Sequence, residues 1–264
     1  MLFRSKDQRA AVVASFLGWT LDAFDFFLMV FVFADIAKEF GTTVPVVAWA
    51  VTLTLAARFI GAFIFGRAAD RYGRKPVLMA VILSYSFFAF VSGLSPNLAT
   101  LLVLRTLFGI AMGGEWGVGA SLTMETIPVK ARGFVSGILQ CGYPTGYLIA
   151  SVVYALLYGN GLIGWRGMIM LGALPALLCF YIIRHVKESP GWTPKHGNTL
   201  AVVKSHWPLA IYAILLMTAF NFFSHGTQDL YPTFLRAQQK FDPGTAGAID
   251  RKSTRLNSSH VSES

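Results

Sequence analysis

Apolar residues in this 264-residue chain gather into seven blocks, at about 11–34, 47–69, 77–95, 98–125, 133–158, 167–184 and 207–233. Runs of roughly twenty apolar residues are the length an α-helix needs to cross a ~30 Å hydrocarbon core. Lipid offers no partner to a backbone N–H or C=O, so a run of this kind spans as a helix that pairs its own backbone. Composition agrees, with 55% hydrophobic and 13% charged residues against about 25% charged in soluble domains. The expected fold class is therefore an all-α polytopic membrane protein with the lipid bilayer as its solvent. The first block is long and has no small-residue cleavage site behind a short core, so it reads as a retained helix rather than a signal peptide.

Charge sets the orientation. Lys and Arg number 22 against 13 Asp and Glu, a net of +9, which on a compact basic face would point to nucleic acid. Here the cations sit in short loops between the blocks, so no nucleic-acid partner is expected. Thirteen of them fall on one side (Arg4, Lys6, Arg9, Arg67, Arg71, Arg74, Lys75, Lys130, Arg132, Arg184, Lys187, Lys195, Lys204) and four on the other (Lys38, Arg166, Arg236, Lys240). The positive-inside rule then places the N-terminus in the cytoplasm and the chain, multi-pass, in the plasma or inner membrane. Seven spans with the N-terminus inside do not suit a seven-helix receptor, and block 207–233 lacks the lysine that a retinal protein needs. Cys141 and Cys179 both lie within apolar blocks and read as small core residues, with no disulfide framework and no metal site expected. Neither a nucleophile–base arrangement nor a phosphate loop is visible, so the chain is not read as an enzyme and no cofactor is expected.

Several ionisable residues fall inside the blocks: Asp22 and Asp25 in the first, Arg58 in the second, Arg105 and Glu115 in the fourth, His225 and Asp229 in the seventh. A charge at a helix centre costs about 2.5 to 3.5 kcal/mol on the insertion scale, so such residues normally face a partner or a water-filled cavity. Asp22 and Asp25 share one helix face; Asn221, His225, Asp229 and Thr233 form a row four residues apart, with Ser224 and Gln228 beside it. Four carboxylates against two guanidiniums give such a cavity two net negative charges, so an organic anion would enter only with protons. Burial and like-charge neighbours favour the neutral carboxyl, which suits Asp22, Asp25, Glu115 and Asp229 to carry them, and His225 titrates near neutrality unaided. Arg58 is the expected fork for a substrate carboxylate; a structural salt bridge to Asp22 or Asp25 is its alternative.

The loop after the second block reads GRAADRYGRK, Gly66 to Lys75. Gly66 would allow close helix approach, Asp70 a cap or a bond to a neighbouring helix, and Gly73 the turn. As a complete G-x-x-x-D-R-x-G-R-K string between two spans, it closely resembles the signature loop of the major facilitator superfamily. R-x-x-x-G at Arg105 to Gly109 and E-x-x-P-x-x-x-R-G at Glu125 to Gly133 resemble further motifs of that superfamily. Glu125 is expected to reach Arg71, Arg74 and Arg132 and form a cytoplasmic gate, a bistable charge cluster that opens as two halves rock. GILQCGYPTG, Gly137 to Gly146, only partly resembles the glycine-proline motif of antiporters, which favours uptake. GWTLDAFDFF in the first block, GGEW at Gly113 to Trp116 and ESP at Glu188 to Pro190 resemble the sialate:proton symporter branch. NFFSHGTQDLYPT, Asn221 to Thr233, fits the signature of the JEN lactate/pyruvate:proton symporters within that branch.

That resemblance implies a six-helix N-terminal bundle of two inverted three-helix repeats, residues 1–190, then an inter-half loop at 191–206. A seventh helix with its outer loop would follow at 207–249, and the serine-rich stretch 250–264 reads as a non-native tail. Members of the superfamily have twelve spans, so the chain reads as an N-terminal fragment that should not complete a transport cycle alone. The resemblance further implies that Asn221, His225 and Asp229 take part in substrate binding and proton coupling, with Ser224, Thr227 and Gln228 shaping the site. The expected function is proton-coupled import of a small monocarboxylate such as lactate or pyruvate, the partners being a small organic anion and a proton. Sialic acid or another organic or aromatic acid on the same fold, and a transport-inactive carboxylate sensor, are the alternatives.

Overall fold

The computed structural model describes residues 5–190, 192–193 and 205–228, the last stretch with side chains at 205–209 and 211–219. The chain divides into two compact units, Met1–His196 and Gly197–Ser264. In the second, a helix runs Trp207–Gln228.

The first unit is a helical bundle. Its first helix, α1 (Lys6–Phe31), starts one turn before the apolar block because Ser5 and Gln8 form a capping box. The Ser5 hydroxyl accepts from the Gln8 N–H at 3.2 Å and the Gln8 side chain from the Ser5 N–H at 3.3 Å. Next come α2 (Phe33–Glu39), α3 (Val44–Tyr72) and α4 (Arg74–Ser92). α3 and α4 turn on Gly73, whose φ of 107° is closed to most side chains. The fourth block is one stretch, Leu98–Thr126, made of α5 (Leu98–Met112) and α6 (Glu115–Thr126) around Gly113 and Gly114. The sixth is α9 (Trp165–Met170), a 3-10 segment (Leu171–Leu177) holding Pro175, and α10 (Leu178–His185).

Among the described residues, five stretches are long and apolar enough to span: Lys6–Phe31, Val44–Tyr72, Arg74–Ser92, Leu98–Thr126 and Trp165–His185. At 1.5 Å per residue they measure about 28 to 44 Å. These stretches correspond to five of the seven expected blocks, the first four and the sixth. The fifth block forms α7 (Arg132–Gln140), α8 (Gly142–Val153) and a π-helical turn, Tyr154–Tyr158, rather than one unbroken helix. The break at Cys141 lies just before Pro144, which has no N–H for the Gln140 carbonyl and crowds it. Cys141 is exposed there, against the core position expected of it, while Cys179 is buried. In the seventh block the helix Trp207–Gln228 is described, and 229–233 lie outside the described residues.

Two large apolar clusters fill the bundle. One holds Ala14, Leu78, Ile82, Phe108, Met112, Leu122 and Ile182; the other holds Phe24, Leu28, Val47, Leu101, Trp165 and Met168. Along α1, α3 and α5 the change from one to the other falls around Asp22 and Asp25, Arg58, and Arg105, so the buried charges form a layer between two apolar halves. Close helix approach sits at Gly61, Gly109 and Gly113, where a Cβ would run into the backbone of Ile110, Thr54 and Arg58 respectively. These small residues press α3 against α5, as they do at membrane helix interfaces generally, and the Thr54 hydroxyl crosses the seam to the Arg105 carbonyl at 2.9 Å. A Cβ on Gly66 would meet nothing within 4 Å. Among the described residues that face of α3 has no neighbour at Gly66.

Candidate functional site

Two ion pairs anchor the charged layer. Arg58 Nη2 donates to Asp22 Oδ1 at 2.6 Å, with Asp22 enclosed and the Arg58 side chain 25% exposed. Arg105 Nη1 donates to Asp25 Oδ2 at 3.0 Å, both side chains sealed at 3% and 0% exposure. The i, i+3 spacing of the two aspartates thus serves two different helices. Asp22 reaches α3, and Asp25 reaches α5. Arg58 takes the salt bridge that stood as its alternative reading. The Arg105 guanidinium also lies over the Phe108 ring, 4.9 Å from its centroid. Its Nε and Nη2, like Asp25 Oδ1, have no hydrogen-bond partner among the described residues.

Glu115 is the third carboxylate of the layer, and among the described residues no guanidinium is bonded to it. It is 2% exposed, and its Oε2 is buried without a partner. Gly18 makes the space for it, since a Cβ on Gly18 would collide with Glu115 Oε1. A small cleft, partly open, is lined by Ser15, Trp19, Glu115, Trp116, Gly119, Ala120 and Leu139. The Trp19 Nε1–H on its wall is likewise buried and unpartnered. Trp19 lies 6.1 Å from Trp116 and 6.0 Å from Tyr143, centroid to centroid. Asp22, Asp25, Arg105 and Glu115 are buried inside the bundle, and among the described residues the layer opens at Arg58 and at the Glu115 cleft.

Trp19 and Tyr85 were missed at the sequence level. Tyr85 is fully buried with an unpartnered hydroxyl and packs edge-on against Phe108 at 6.0 Å. Nothing in their spacing marks either as polar in role, because an aromatic residue in an apolar block reads as filling.

At the end of the bundle where α3 gives way to α4, Arg74 is the hub. It donates to Asp70 at 2.5 Å and to Glu125 at 3.2 Å. Glu125 accepts in addition from the Ser189 hydroxyl at 2.5 Å, and the Trp192 indole donates to the Asp70 carbonyl at 3.1 Å. Glu188 caps α4, accepting from the N–H groups of Arg74 at 2.8 Å and Lys75 at 3.1 Å. The expected cluster of Arg71, Arg74 and Arg132 around Glu125 is thereby narrowed to Arg74. Arg71 stacks over its neighbour Tyr72 at 5.3 Å, and no ion pair joins Arg132 to Glu125 among the described residues. Glu188 and Ser189 are additions whose signal was the ESP string, an acid placed after the sixth block where a helix N-terminus favours negative charge.

At the opposite end Arg166 donates to Glu39 at 2.6 Å, to the Ser95 carbonyl at 2.7 Å and to the Gly93 carbonyl at 3.1 Å. Its guanidinium lies 4.4 Å from the Trp165 ring centroid, and the Trp165 indole donates to Glu39. The hydrogen bonds from Arg166 and then Trp165 hold the Glu39 carboxyl below its usual range.

The side chains of Asn221, Ser224, His225, Thr227 and Gln228, and Asp229 altogether, lie outside the described residues.

The pattern of the Major Facilitator Superfamily matches residues 15–249. The probable 4-methylmuconolactone transporter of Cupriavidus pinatubonensis is 35% identical over 70% of this chain and 44% of its own length. The sialic acid transporter NanX of Escherichia coli is 31% identical over 86% of this chain and 57% of its own. The carboxylic acid transporter protein homolog of Saccharomyces cerevisiae is 27% identical over 84% and 41%. The chain therefore spans about half the length of these relatives. Among solved structures, the inward-open xylose transporter XylE of E. coli superposes with a TM-score of 0.61 at 20% identity, over 86% of this chain and 60% of XylE. An all-helical bundle of this shape, matched over most of its length by one pattern, settles the family: the chain is a multi-pass membrane protein belonging to the Major Facilitator Superfamily, a family of transporters and not of enzymes.

Proposed function

We propose that the chain forms part of a proton-coupled symporter that imports a small monocarboxylate, such as lactate or pyruvate, by alternating access. The observation that carries the reading is the Asp22–Arg58 pair, a buried carboxylate holding a guanidinium that is itself partly open. A proton on Asp22 removes the charge that holds Arg58 and frees a planar two-donor fork for a substrate carboxylate. Anion and proton then enter together, and neither is favoured alone. Asp25 with Arg105 keeps the layer fixed beside them, and Glu115 offers a second protonation site.

In this reading the end of the bundle that bears Arg74 faces the cytoplasm. Gly66, Asp70, Arg71, Gly73, Arg74, Glu125 and Arg132 belong to its gate, with Arg74 as the hub. The seventh helix would complete the site through Asn221, Ser224, His225, Thr227, Gln228 and Asp229, as the JEN resemblance implies. The domain division 1–190, 191–206, 207–249 and 250–264 follows from the same reading. The names of two relatives, a sialic acid transporter and a carboxylic acid transporter homolog, support an acidic substrate. The first of them keeps sialic acid as the second reading.

The test is uptake of labelled lactate by proteoliposomes containing the full-length gene product, with and without an inward proton gradient. Gradient-driven accumulation should fall by about tenfold or more in Asp22→Asn, as expected when a group acting in the coupled step is lost. Uptake that ignores the gradient in the unaltered protein would contradict the coupling. Failure of lactate to compete with labelled sialic acid, where sialic acid is accumulated, would move the assignment to the second reading.

A further inference from the structure

Two residues that line the same cleft, Trp19 and Glu115, each carry a buried polar atom without a hydrogen-bond partner among the described residues. The Trp19 indole N–H can only donate, and Glu115 Oε2 accepts whether or not that carboxyl group carries a proton on its other oxygen. A buried donor or acceptor left unpaired costs about 1–3 kcal/mol, so a polar group that met both would be favoured there. The cleft has room for about one water-sized group. Its walls, Trp116, Leu139, Ala120 and Gly119, offer no further charge, and Trp116 is 47% exposed, so the cleft has an open side.

The group that fits is small and both accepts and donates. A hydroxyl oxygen can accept from Trp19 while its proton goes to Glu115. An oxo group would accept from Trp19 but leave the Glu115 acceptor unmet unless Glu115 were protonated. A methylene would leave both unmet. Trp19 lies one helical turn before Asp22 on the same face of α1, and Asp22 holds Arg58 at 2.6 Å. A hydroxyl held in the cleft would therefore sit about one helical turn along α1 from the residue that holds Arg58.

We infer that Trp19 and Glu115 form a hydroxyl-recognition subsite and that the carrier prefers hydroxy acids to the corresponding oxo and unsubstituted acids. The inference rests on the organic-acid reading above and deepens it. Gly18 is part of the subsite, because its missing side chain lets Glu115 reach the cleft.

Three-carbon acids test it at constant chain length. In proteoliposomes of the full-length gene product, labelled lactate uptake is inhibited with unlabelled lactate, pyruvate and propionate. Lactate should half-inhibit at about one tenth the concentration of propionate, a factor in keeping with one matched hydroxyl, and pyruvate should fall between them. Trp19→Phe should draw the lactate-to-propionate ratio toward one. Equal inhibition by all three acids in the unaltered protein would overturn the subsite while leaving the organic-acid reading intact, and this arm needs no variant to fold. A Trp19→Phe protein that weakens all three acids by one common factor would show a packing role and also overturn it. Absence of saturable lactate uptake in the unaltered protein would contradict the monocarboxylate reading and remove the subsite with it.

Discussion

Arg105 and Asp25 illustrate how a single residue bears on the stability of the whole bundle. Their pair is sealed from both lipid and water, so removing one partner leaves a buried charge with nothing to offset it. Arg105→Gln should destabilise the bundle by about 3–5 kcal/mol, read as a lower melting temperature in detergent. An unchanged melting temperature would show that the Asp25 charge finds another partner. At Gly18 the expected effect is on the site: Gly18→Ala places a Cβ on Glu115 Oε1, so the carboxyl must leave the cleft. Lactate should then lose its advantage over propionate. The sequence revealed these charges because an ionised group in an apolar block is conspicuous. It did not reveal their pairing, since i, i+3 spacing shows that Asp22 and Asp25 share a face of α1 and says nothing of which helix lies opposite. Trp19 and Tyr85 were hidden for the converse reason, their polar atoms being attached to rings that suit an apolar block.

Helix ends decide the next scale. Glu188 closes the N-terminus of α4 by accepting from two of its free N–H groups, and a cap of this kind is worth about 1 kcal/mol. Glu188→Ala should speed hydrogen exchange at the Arg74 and Lys75 amides and weaken the Arg74–Glu125 latch; exchange rates equal to the unaltered protein would deny it that role. The clasp of α2 to α9 gives a pH prediction with a definite sign. Glu39 is ionised more readily in the folded chain than its ordinary value of 4.5, so its contribution is complete above that value and is lost as pH falls through the lowered one. Trp165 fluorescence should change only on the acid side of that window, and Glu39→Gln should abolish the change. Element boundaries were legible where apolar blocks end in glycine, as at Gly73, and less so elsewhere. The start of α1 depends on the Ser5–Gln8 capping box outside the block. The break at Cys141 depends on Pro144 within it.

At the scale of the whole molecule, the family membership and the layered core point the same way. Two apolar halves are separated by a charged layer that contains more carboxylates than guanidiniums, and at one end a latch on Arg74 ties α3, α4, α6 and the segment after α10 together. Helical class and the positions of the buried charges were readable from the spacing of apolar blocks, because the bilayer imposes that spacing. The opening of the layer at Arg58 and at the Glu115 cleft was not, because it depends on which helices meet. The central claim is that substrate and proton move together, and the most direct measurement follows the proton. Proteoliposomes of the full-length gene product are loaded with a pH-reporting dye, given no imposed gradient and supplied with external lactate. The account predicts internal acidification faster than in protein-free vesicles, reduced by Asp22→Asn to their rate; acidification no faster than in protein-free vesicles, while labelled lactate still enters through the protein, would contradict it.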